Sequence, residues 1–214
     1  MAITRLGSNQ NIGASNLNLA DTFAFTGAVS GAGGAYEVIN SSTSASTSTF
    51  EVSGFDNGNK DFLIIARLQP IAGAANNHLM LQLGNDSGYY SLNHSMVQEQ
   101  YLNGDGTDKN WYNTTGADDG SKLQMTQNVF GSDSDTTPNR THGSFYIYIP
   151  NPYEANYYKV LAGHGHFRHT DSYAMHSQFL GSYNSNTQFK KAKIFLNSGQ
   201  NLKGTVTLYG SLDS

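Results

Sequence analysis

Apolar and polar residues alternate with a period of two along much of this chain, and no i, i+3, i+4, i+7 apolar pattern is sustained over a helical length. The closing stretch, Lys203-Gly204-Thr205-Val206-Thr207-Leu208-Tyr209-Gly210, puts Val206 and Leu208 on one face of an extended strand and Thr205, Thr207 and Tyr209 on the other. Phe145, Ile147 and Ile149 alternate in the same way with Tyr146 and Tyr148. Pro150-Asn151-Pro152 stops that strand, because proline cannot donate to a ladder. Leu79, Leu81 and Leu83 share a face, and Gly84 to Gly88 supplies the turn of a hairpin to Tyr89-Tyr90. The unbroken run Phe62-Leu63-Ile64-Ile65-Ala66-Arg67-Leu68 predicts a central strand covered on both faces.

Further strands are expected over Lys122 to Thr126, Tyr157 to Gly163, Ser177 to Tyr183 and Lys191 to Leu196. Ser41 to Thr49 is a Ser/Thr tract that reads first as a solvated loop and second as an edge strand, since threonine favours extended backbone. Residues 103–120, around Trp111 and Tyr112, read as a loop with exposed aromatics. The paired tyrosines Tyr89-Tyr90 and Tyr157-Tyr158 are expected to send one ring to each face of a strand. Together these segments predict an all-β chain: an antiparallel β-sandwich of jelly-roll-like type in a single domain over residues 35–214, after a Gly/Asn/Ser-rich N-terminal arm over residues 1–34.

Composition narrows the function more than the fold. Charged residues make up 13 % of the 214, against roughly 25 % in an average globular protein, and glycine, serine, threonine and asparagine fill the polar positions. A net charge of −4, with no run of basic residues, gives no footprint for nucleic acid. The absence of cysteine excludes disulfides, thiolate zinc sites and cysteine nucleophiles. The N-terminus lacks the apolar core of a signal peptide, and no apolar run reaches the roughly 18 residues of a membrane span, so synthesis in the cytoplasm without membrane insertion is expected.

The chemistry-bearing residues form one cluster. Four of the seven histidines fall between Gly163 and His176, and on a strand His164 and His166 share a face. With His169 or Asp171 as a third ligand they would make a metal site. Imidazoles hydrogen-bonded to their neighbours, or a pH-responsive contact surface, use the same spacing equally well. Asn103 to Asp108 has the alternating oxygens of a calcium loop around Asp105 but lacks the distant glutamate. Glu51, Glu99 and Asp61 are carboxylates that the sequence gives no reason to pair for glycoside hydrolysis, and no nucleophile elbow, P-loop or dinucleotide fingerprint occurs. No cofactor and no enzymatic activity are expected. Trp111 and Tyr112 are candidates for stacking on a sugar or meeting a partner.

Phe145 to Pro152, Tyr158-Lys159-Val160-Leu161, Phe179-Leu180-Gly181-Ser182-Tyr183 and the closing Gly204 to Gly210 together resemble small β-sandwich structural proteins of tailed bacteriophages, in which a strand ends at an Asn-Pro turn and the last strand reads Gly-Thr-aliphatic-x-aliphatic-Tyr-Gly. The resemblance implies a non-enzymatic virion component, a capsid decoration protein or a part of the tail or its fibres. Such a protein would act by self-association and by attachment to other virion proteins. No repeat or heptad pattern marks a fibre shaft, so a compact module on the particle surface is expected, with the N-terminal arm docking on a neighbour. A host-recognition module that binds surface glycans through loop aromatics is the alternative.

Overall fold

The computed structural model describes residues 36–56, 61–71, 77–102, 109–115, 122–126, 143–168 and 174–211, with 101–102 and 109–115 as backbone. Every regular element among them is a strand: β1 (Tyr36–Thr47), β2 (Thr49–Ser53), β3 (Asp61–Pro70), β4 (Leu79–Asn85), β5 (Gly88–Tyr89), β6 (His94–Leu102), β7 (Lys109–Thr115), β8 (Leu123–Gln124), β9 (Gly143–Pro150), β10 (Lys159–Arg168), β11 (Ala174–Tyr183), β12 (Lys191–Leu196) and β13 (Leu202–Ser211). They form an eight-stranded sheet in the order β1-β13-β3-β9-β10-β11-β6-β7 and a five-stranded sheet in which β2-β12-β4-β5 run in order and β8 pairs with β4. Every pairing is antiparallel. The architecture is therefore the expected antiparallel sandwich, to which we assign no jelly-roll winding. The proposed N-terminal arm lies outside the described residues.

Alternation decides which side chains are packed. Phe62, Ile64, Ala66 and Leu68 of β3, Phe145, Ile147 and Ile149 of β9, and Val206 and Leu208 of β13 point inward and are fully buried. They meet Phe50 and Val52 of β2, Leu79, Leu81 and Leu83 of β4, and Ala192, Ile194 and Leu196 of β12 in one continuous core. Each valine, leucine, isoleucine or phenylalanine among them contributes roughly 1.5–3 kcal/mol by leaving water. One polar link crosses between the sheets, where the Leu83 amide of β4 donates to the buried Tyr183 hydroxyl of β11 at 3.0 Å. Burial holds that phenol well above its ordinary pKa, so it stays neutral and accepts the bond.

The closing strand is internal, with β1 on one side and β3 on the other. Gly204 has a φ of +136°, and a Cβ there would lie 2.0 Å from the Arg67 carbonyl oxygen, so only glycine fits the approach of β13 to β3. Of the two readings of the Ser/Thr tract the second holds: most of it is edge strand β1. Ser41 meets Thr207 at 3.1 Å and Thr43 meets Thr205 at 3.0 Å through their hydroxyls, a cross-strand pairing that a solvated loop would lack. After β9, Asn151 takes a positive φ of 44° between the two prolines and the chain turns away from the sheet, as the Pro-Asn-Pro stop predicts. The buried Lys159 ammonium closes that turn by donating to the carbonyls of Glu154 and Tyr157. Burial lowers its pKa. Tyr157 and Tyr158 lie in the turn, before β10 begins, and both are exposed, so the expectation of one core ring is corrected.

Truncating Leu208 to alanine removes a fully buried side chain from an internal strand of the larger sheet and is expected to cost about 2–5 kcal/mol in urea unfolding. Thr207→Ala, on the outer face, should cost well under half as much. Equal losses would mean that the two faces of β13 are not distinguished by burial.

Candidate functional site

The expectation that β3 is covered on both faces is wrong in one respect. Its inner side chains are buried, but Leu63 and Ile65 point away from the small sheet and remain partly exposed. They belong to rows that cross the whole larger sheet. Register pairs line up Val38, Tyr209, Leu63, Tyr148, Ala162, Leu180 and Met96. Of these, Val38 is 60 % exposed, Met96 43 %, Leu180 42 % and Tyr148 40 %. An uncharged apolar stripe this long on an outer face is the kind of surface that marks an interaction site. Along its polar flank the next row runs Thr207, Ile65, Tyr146, His164, Gln178 and Gln98, and the one after it Thr205, Arg67, Ser144, His166, His176 and Gln100.

Between Tyr148 and Leu180, the short side chain of Ala162 leaves a depression. It opens into a groove of about 770 Å³ over β9, β10, β11 and β6. Tyr146 and Tyr148 form one wall; Met96, Gln98, Gln178 and Leu180 form the other; His164, His166 and His176 stand at one end. The alternation Gly163-His164-Gly165-His166 has a packing cause. A Cβ on Gly165 would sit 2.1 Å from the Phe145 ring, and one on Gly163 would sit 2.4 Å from the Phe179 ring. The two phenyl rings of the neighbouring strands lie over the bare inner face of β10, and the intervening histidines are thereby directed outward.

His164 and His166 do share a face, as their spacing predicts, with ring centroids 6.1 Å apart. His176, their neighbour on β11, completes the group at 4.7 Å from His166 and 6.3 Å from His164. Its role was hidden in the sequence because the β10–β11 register, which pairs His166 with His176, is not a local property. His164 stacks on Tyr146 at 5.2 Å and 20°, and His176 Nε2 lies 3.3 Å from Gln178 Nε2. Among the described residues no three His, Cys, Asp or Glu side chains are arranged to hold a metal ion. His169, Asp171 and the calcium-like run around Asp105 lie outside the described residues.

Residues 109–115 form edge strand β7 rather than a loop, since pairing with β6 satisfies a segment rich in aromatic and β-branched residues. The register sets Trp111 opposite Gln100, in the row of His176 and His166, and Tyr112 opposite Glu99. The three carboxylates considered for acid–base work lie apart. Glu51, on the smaller sheet, accepts from the Tyr89 hydroxyl and lies 3.8 Å from Lys191 Nζ; Glu99 is buried in β6; Asp61, at the start of β3, accepts from Tyr148. No family model, curated protein or solved structure matches the chain.

Burial first, then the neighbouring His166 and His164, holds the His176 imidazole below its usual pKa. The unfolded chain therefore binds a proton that the folded ring refuses, and this contribution to stability is complete above about pH 6.5 and is lost as the pH falls below it. A hydrogen bond with the Gly165 backbone acts in the opposite direction and is outweighed. The urea midpoint is expected to fall between pH 7.5 and pH 5, and to fall less in His176→Gln. An identical slope in the variant would remove His176 as its source.

Proposed function

We propose that the chain is a non-enzymatic structural protein of a tailed-bacteriophage particle, acting by self-association and by attachment to other virion proteins through the outer face of its larger sheet. The observation that carries this reading is the apolar stripe, which crosses the sheet without a charged side chain and which no other part of the described fold covers. Exposed apolar area of this kind is stabilised by a partner surface and leaves the soluble monomer at a disadvantage. A second copy suits it, because an uncharged surface can face itself about a two-fold axis without repulsion.

The particle assignment draws on the resemblance of the Tyr148-Ile149-Pro150-Asn151-Pro152 stop and the Gly204 to Gly210 strand to small structural proteins of tailed phages. In this fold those segments end β9 and form β13, the two strands that flank β3. Tyr36, Val38 and Tyr209, at the β1 end of the face, are the residues assigned to the contact between copies. Val38 is the most exposed aliphatic side chain of the group, so its replacement does not disturb the core.

Sedimentation velocity of the full chain at micromolar concentration tests this reading. The wild type is expected to sediment as an oligomer, and Val38→Glu to weaken association by tenfold or more, about 1.4 kcal/mol, with an unchanged unfolding midpoint. A wild-type chain that stays monomeric to about a hundred times that concentration, or a variant that associates as well as the parent, would overturn it.

A further inference from the structure

We propose that the groove over β9, β10, β11 and β6 is a binding site for a neutral saccharide. Among the described residues its polar lining consists of the Gln98 and Gln178 amides, the Tyr146 and Tyr148 phenols and the His164, His166 and His176 imidazoles. Among the described residues no aspartate, glutamate, lysine or arginine lines it, so a phosphate, sulfate or carboxylate would meet no lysine or arginine, and a cationic ligand no carboxylate. A sugar without ionised groups needs hydrogen-bond partners for its hydroxyls and a flat apolar surface for its C–H faces. The groove offers both side by side, because it straddles the boundary between the apolar stripe and the polar rows.

The placement of each group follows from the register. Gln98 and Gln178 are directly paired across β6 and β11, so their amides stand together and each supplies a donor and an acceptor to adjacent hydroxyls. Across the groove Tyr148, tied at its hydroxyl to Asp61, turns an orientated ring toward the same space. His164, stacked on Tyr146, limits that ring's freedom. Groups held in advance lose little entropy when a ligand arrives. The floor is Ala162 and Gly163, and the volume of about 770 Å³ lies within the range of small-molecule sites, roughly 300–1,000 Å³. The groove is open to solvent, which suits a segment of an oligosaccharide better than an enclosed metabolite.

This inference goes beyond the assembly reading and does not depend on it, since Tyr36, Val38 and Tyr209 at the β1 end do not line the groove. The test uses the full chain at pH 7.5 against soluble dextran, mannan, galactan and xylan, with dextran sulfate and polygalacturonate as anionic counterparts, followed by affinity electrophoresis and calorimetry. At least one neutral polysaccharide is expected to bind. Gln178→Ala and Tyr148→Ala should each weaken it tenfold or more, and Val38→Glu should leave it unchanged. Ala162→Leu fills the floor of the groove from a partly exposed position, so it should abolish binding without lowering the unfolding midpoint. No neutral polysaccharide bound, binding of the anionic polymers only, or binding that survives Ala162→Leu would each overturn the proposal. Sedimentation of the same samples separates the two readings: a monomer that binds saccharide sinks the assembly reading alone, and an oligomer that binds none sinks this one alone.

Discussion

The structure depends on its described strands forming two layers and no third. A strand has two faces, and the larger sheet packs against one other sheet, so among the described residues only its inward face is covered. Inward residues such as Ile64, Ile147 and Leu208 are fully buried, while the residues beside them in sequence, Leu63, Tyr148 and Tyr209, stay at least partly open to solvent. The chain supplies apolar side chains to both faces. The outer apolar rows therefore remain without cover from the described residues, and both functional readings start from them.

The groove follows from a second packing decision one layer in. Glycine at 163 and 165 lets the Phe179 and Phe145 rings close over β10, which completes the core beneath the histidines. Period-two alternation then presents His164 and His166 outward, beside Ala162, and the antiparallel register brings His176 and Gln178 alongside from β11. The core and the candidate site are thus opposite faces of the same strands. A change made for the core, such as a larger residue at 165, displaces the groove above it.

Much of the fold was legible because burial and alternation are local. Val206 and Leu208, the Phe145-Ile147-Ile149 face and the Pro-Asn-Pro stop all appear in the structure as the pattern predicts. What was misread depended on partners distant in sequence. The all-apolar run in β3 reads as doubly covered, but a sequence does not state how many layers will pack against a strand. The Ser/Thr tract reads as loop because its ladder partners lie about 160 residues away, at Thr205 and Thr207. Trp111 and Tyr112 read as part of a loop over residues 103–120 for the same reason, their ladder being supplied by β6. Of the site, the shared face of His164 and His166 was visible from spacing alone, whereas His176, Gln98 and the tyrosine wall required the register.

The central claim is that the outer face of the larger sheet is where this protein meets its partners. Hydroxyl-radical footprinting of the full chain tests it most directly, because methionine, tyrosine and leucine side chains on that face report their own exposure. Between dilute and concentrated chain, Tyr36 and Tyr209 should become protected, and with a bound neutral polysaccharide Met96, Tyr148 and Leu180 should, while Tyr89 on the smaller sheet keeps its reactivity in both. Protection confined to Tyr89 and its surroundings, with the larger sheet's face unchanged, would contradict the account.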